Sequence, residues 1–88
     1  MKVADQLVEL ESVAEKKKIR ISYEPIGGEL GAGGLCKVKG EHRIIVDKRA
    51  TDGEKVTVLA TALARFDLGD VFVSEEVRAL ISRHAKKA

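Results

Sequence analysis

Apolar positions along the chain change their spacing several times, and each change predicts a new element. Val3, Leu7, Leu10 and Ala14 recur at intervals of four, three and four, with Val13 at the edge of the same face. That period predicts an amphipathic helix from Val3 to about Lys17. Asp5 and Glu9 stand early in it and Lys16 to Lys18 stand at its end, the charge order that a helix dipole favours. Ile19, Ile21 and Tyr23 then alternate with Arg20 and Ser22, the period of two of a half-buried strand, which Pro25 terminates. Residues 25–34 are rich in glycine and read as a mobile loop.

Side-chain parity suggests a β-hairpin next. A three-residue loop, Gly40 to His42, would pair Lys39 with Arg43 and Val38 with Ile44. This register sets Cys36, Val38, Ile44 and Val46 on a core face and Lys37, Lys39 and Arg43 on a basic one. Thr51 and Glu54 have the spacing of a capping box and open a second helix. Its run from Val56 to Phe66 is apolar almost all round; only Thr57, Thr61 and Arg65 interrupt it, on one narrow stripe. Such a helix belongs in the centre of the fold, with a polar seam facing a cleft or another chain. Asp67-Leu68-Gly69-Asp70 breaks it. After an extended piece, Val71 to Val73, Ser74 caps a third helix with Glu75 and Glu76 in its first turn. Val77, Leu80, Ile81 and His84 form that helix's inner face, and 85–88 read as a frayed tail. The expected architecture is a single α+β domain over residues 1–88, in the order α-β-β-β-α-α. A three-stranded sheet would pack on a central buried helix.

Composition narrows the chemistry. The 88 residues are 44% apolar and 34% charged, with a net charge of +2. This is the balance of an ordinary globular chain. No apolar run approaches the length of a membrane span, and acids occupy the place of a signal peptide's apolar stretch. A cytoplasmic location follows as the expectation. One cysteine excludes an internal disulfide and a Cys-rich zinc site.

Basic residues cluster at Lys16–Lys18 and Arg20, and again at Lys37, Lys39, Arg43, Lys48 and Arg49. The second group could neutralise phosphates. Stacking platforms for single strands are scarce, because Tyr23, Phe66 and Phe72 all read as core residues. No phosphate-loop motif is present, and the glycines lead into a strand rather than a helix N-terminus. Cys36 would need a base in reach to act as a nucleophile, whereas it is expected to face the core with His42 at the hairpin tip. The two histidines lie on different elements, neither with a second ligand at helical spacing, so no metal site is expected. Glu75 and Glu76 serve the helix dipole, and Asp67 and Asp70 serve helix ends. No cofactor is implied.

From the hairpin onward the chain resembles the ImmA/IrrE-like metallopeptidases, a minimal zincin fold. The similarity lies in Arg43-Ile44-Ile45-Val46-Asp47, in Val56 to Arg65, and in Phe72-Val73-Ser74-Glu75-Glu76-Val77. It extends over roughly residues 3–83 as a pattern of elements. In that family a similar strand precedes a helix carrying two zinc-binding histidines and a glutamate base. The resemblance places Thr61 and Arg65 at the histidine positions and Ala62 at the glutamate. Threonine is a poor zinc ligand, alanine is no base, and arginine is a permanent cation. The resemblance therefore implies a zincin-like pseudoenzyme with no catalytic residue.

Together these readings lead to a non-catalytic protein-interaction or regulatory module that self-associates, most simply as a dimer, or binds another protein. Its candidate surfaces are the edge of the sheet and the Thr57-Thr61-Arg65 seam. Arg65 could instead pair internally with Asp67, Asp70 or a glutamate of the first helix. The alternative is a small nucleic-acid binder using the basic hairpin.

Overall fold

A computed structural model describes residues 2–26 and 33–85. Its elements are α1 (Val3–Lys16), β1 (Arg20–Glu24), β2 (Gly33–Val38), β3 (Glu41–Asp47), α2 (Asp52–Leu63) and α3 (Glu75–Ala85). The α+β class and the element order match the sequence pattern.

α1 ends in a Schellman motif. The amide of Ile19 donates to Ala14 O at 2.9 Å and that of Lys18 to Glu15 O at 3.0 Å. Lys18 takes the left-handed conformation usually given to glycine, with φ 60°. The turn drops Ile19 into the core, where it is buried with Val13 and Ala14. The lysine run thus does more than balance a dipole, since Lys17 also pairs with Asp70 at 2.9 Å.

The sheet has the order β1-β3-β2, with β1 parallel and β2 antiparallel to the central β3. Ile21 and Tyr23 stand beside Ile44 and Val46 on the face that meets the helices. Ile44 and Val46 are fully buried there. The hairpin differs from its expected form. Its loop is Lys39-Gly40, two residues with φ 52° and 83°, and Val38 pairs with Glu41. Two successive positive φ values characterise the type I′ turn, whose twist matches that of the strands. The shorter loop reverses the parity of β2. Leu35 pairs with Ile44 on the inner face, while Cys36 pairs with Arg43 on the outer one.

Gly33 and Gly34 belong to β2 rather than to a loop. Gly33 has φ +137°, and a Cβ there would stand 2.0 Å from the carbonyl oxygen of Ile45. Of the expected mobile loop, residues 27–32 lie outside the described residues. Of the expected frayed tail, Ala85 closes α3 and residues 86–88 also lie outside.

α2 is the centre of the helical layer. Val56, Leu59, Ala60, Ala62 and Leu63 are buried against α1, α3 and the sheet. Its capping box forms as expected: Glu54 N donates to Thr51 Oγ1 at 3.1 Å, and Thr51 N to Glu54 Oε1 at 2.9 Å. The helix closes at Leu63, earlier than the apolar run, through tighter turns in which Arg65 N reaches Ala62 O and Phe66 N reaches Leu63 O. α3 is tied to α1 across the core: Glu9 accepts from Ser74 N at 2.8 Å and from Ser74 Oγ at 3.0 Å. Val77 N in turn donates to Ser74 Oγ at 3.3 Å. No helix among the described residues is long and apolar enough to cross a membrane.

Two substitutions test this backbone. Lys18→Gly relieves the left-handed residue and should raise unfolding stability by about 0.5–1 kcal/mol in urea titrations. Gly33→Ala forces β2 away from β3 and should lower it by about 2 kcal/mol or more.

Candidate functional site

Because β3 occupies the middle of the sheet, β2 is an edge strand among the described residues. Its turn closes on the Val38–Glu41 pair, so ladder alternation points the backbone N–H and C=O of Gly33, Leu35 and Lys37 away from β3. α2 packs on β2 and β3, and its exposed stripe runs beside that free edge. Gly33, Gly34 and Leu35 form one wall of a groove of about 540 Å³. Glu54, Thr57, Val58, Thr61 and Ala62 form the other, and Arg65 stands at its end. The seam and the sheet edge, separate surfaces in the sequence, are two sides of one site.

Thr57, Thr61 and Arg65 are all exposed. Thr57 Oγ1 donates to Gly53 O at 3.1 Å, so that hydroxyl serves its own helix. Two of the internal partners considered for Arg65 are otherwise engaged. Asp70 holds Lys17, and Asp67 Oδ1 accepts from Gly69 N at 2.9 Å. Among the described residues Arg65 makes no ion pair. Leu35, Gly33 and Val58 were not singled out by the sequence, since only the register of β2 brings them to the groove. The glycine pair before a strand was the one available signal, marking a close backbone approach.

The five residues of the expected basic surface do not share a face. Lys37 lies on the helix side, opposite His42, and Lys39 is in the turn. Arg43 lies on the outer face beside Arg20. Lys48 and Arg49 follow the far end of β3, about 20 Å from the turn by strand rise. The outer face also carries acids, since Glu24 pairs with Asp47 there.

Cys36, expected in the core, is half-buried on the outer face, because β2 has the opposite parity. His42 is on the inner face, where its ring meets Phe66 edge-on with centroids 4.8 Å apart. Sulfur and imidazole stand on opposite sides of the sheet. Among the described residues no three His, Cys, Asp or Glu side chains converge on a metal-sized site.

Of the aromatics read as core, Phe66 is half-buried, but Phe72 is 78% exposed. The extended segment around it turns Val73 inward and Phe72 outward, next to Val8 of α1. Tyr23 is also exposed at its rim. Its hydroxyl donates to Glu11 of α1, and Lys55 Nζ lies 5.5 Å from its ring centre. Burial, the hydrogen bond to Glu11 and the nearby carboxylates raise the Tyr23 pKa above its ordinary value of 10.0. No protein-family model, curated protein or solved structure matches the chain.

The raised Tyr23 pKa has a definite sign in stability. Above pH about 10 the unfolded tyrosine ionises while the folded one stays protonated, so stability is complete below that pH and falls as pH rises. Urea midpoints should therefore decline above pH 10 in the wild type, and decline less steeply in Tyr23→Phe.

Proposed function

We propose that this chain is a non-catalytic protein-interaction module that holds an extended protein segment in the groove between β2 and α2. The observation that carries this reading is the free edge of β2 lying beside the exposed stripe of α2. An incoming strand would pair with the outward groups of Gly33, Leu35 and Lys37, which supply affinity without regard to sequence. Val58 and Ala62 offer an apolar floor, and Arg65 a fixed positive charge for an acidic group of the partner.

On this reading the scaffold is peptidase-like without peptidase chemistry. Thr61, Ala62 and Arg65, which the resemblance to minimal zincins would set at the ligand and base positions, line this groove. Retaining a cleft that presents a strand edge, without the groups that activate water, suits capture rather than cleavage. The nucleic-acid alternative has less support, because its basic residues diverge in direction.

Selection of peptides from a random library tests the proposal. Selected peptides should shift the amide resonances of Gly33, Leu35 and Lys37. Lys37→Pro removes one outward donor while leaving the β2–β3 ladder intact, and should weaken their binding about tenfold or more. Peptides that bind Lys37→Pro as tightly as the wild type would move the docking site elsewhere.

A further inference from the structure

The groove has a symmetry in its charges that identifies one occupant. Glu54 stands at the end where α2 begins, and Arg65 stands just beyond the other end. The eleven residue steps between them span roughly 17 Å of helical rise. Thr57 and Thr61 lie between them on the same exposed stripe. In order, the wall reads acid, two threonines, base.

We infer that the segment held in the groove is β2 of a second copy of this chain, giving a two-fold symmetric dimer. This rests on the strand-addition reading above and specifies its partner. A two-fold axis through Leu35 of this edge strand makes the two β2 strands antiparallel; Leu35 then pairs with Leu35 of the other copy, and Gly33 of each copy with Lys37 of the other. The same axis sets the two α2 helices side by side and antiparallel. Glu54 of each copy then meets Arg65 of the other. Two ion pairs form for one operation, and the helix dipoles oppose. Glu54 uses Oε1 for its capping box, and Oε2 remains to accept from a guanidinium. Leu35 and Val58, both half-buried, supply apolar area between the charged ends. The product is a continuous six-stranded sheet with both free β2 edges removed. The contact also covers Val58, the one apolar side chain of α2 left half-buried.

Sedimentation and light scattering of the full chain, up to millimolar concentration, provide the test. The wild type should reach twice its 9.6 kDa mass. Arg65→Glu sets acid against Glu54 of the other copy, and Glu54→Arg sets base against Arg65. Each variant alone should associate about tenfold or more weakly than the wild type. An equimolar mixture of the two restores both oppositely charged contacts and should recover the dimer. Circular dichroism verifies that each variant is folded. Should Glu54→Arg fail to fold, Glu54→Gln keeps the capping box and should still weaken association measurably.

A wild type that stays monomeric throughout overturns the inference. So do folded single variants that dimerise as the wild type does, or a mixture of them that stays monomeric. A dimer that persists at full strength in Lys37→Pro does the same, moving the contact to the outer sheet face or to Phe72 and Val8. A monomeric wild type whose selected peptides still require Lys37 removes only the second copy as occupant. Peptides indifferent to Lys37 remove the strand-addition reading itself.

Discussion

Everything in this small fold is arranged around the burial of α2. Its Val56, Leu59, Ala60, Ala62 and Leu63 point in several directions, so no single neighbour can cover them. α1, α3 and the sheet each take a share. Polar contacts between distant parts of the chain tie those neighbours together. Glu9 grips Ser74 at the head of α3, and Lys17 reaches Asp70 in the segment before it. The Glu9 contact is partly buried and charge-assisted, which makes it the stronger of the two. The Lys17–Asp70 pair is exposed at its acid end and adds little to stability.

What the three neighbours leave uncovered is the stripe of Thr57, Thr61 and Arg65. Polar residues are tolerated there because that stripe meets solvent. The sheet contributes a matching opening. With β3 in the middle, β2 has no strand on its far side among the described residues, and α2 sits above it without closing it off. An uncovered helix stripe and an unpaired strand edge therefore run alongside each other. Soluble proteins usually blunt such edges with charge or a bulge. Here Lys37 is the one charged side chain among the outward-pairing positions, next to the small Gly33 and the apolar Leu35.

Several features were legible from the order of residues because their physics is local. The capping box depends only on Thr51 and Glu54 being three apart, and it forms. The apolar run of α2 declared a buried helix with one polar stripe, although its end was misplaced because tighter turns finish the helix before Arg65. The hairpin was harder. β2 offers an apolar set in either parity, Leu35 in one and Cys36 with Val38 in the other. The choice was made by the turn, where Lys39 and Gly40 both adopt positive φ. Lysine carries no sign of that preference, and the same is true of Lys18 at the end of α1. Phe72 illustrates the opposite failure: its apolar neighbours suggested core, but extended backbone turns alternate side chains outward.

By itself, then, the sequence determined the α+β class, the order of elements, and the stripe on α2. All three follow from periodicity and short-range spacing, which survive whatever the segments later pack against. Only the tertiary structure decided that β3 lies between β1 and β2, which face of β2 meets the helices, and that Thr57 and Thr61 border a strand edge. The strand order depends on pairing between residues far apart in the chain, such as Arg20 with Arg43, and the face of β2 on the backbone that the Lys39-Gly40 turn adopts. Strand order and register are settled by the joint burial of all layers, and no single segment carries that information.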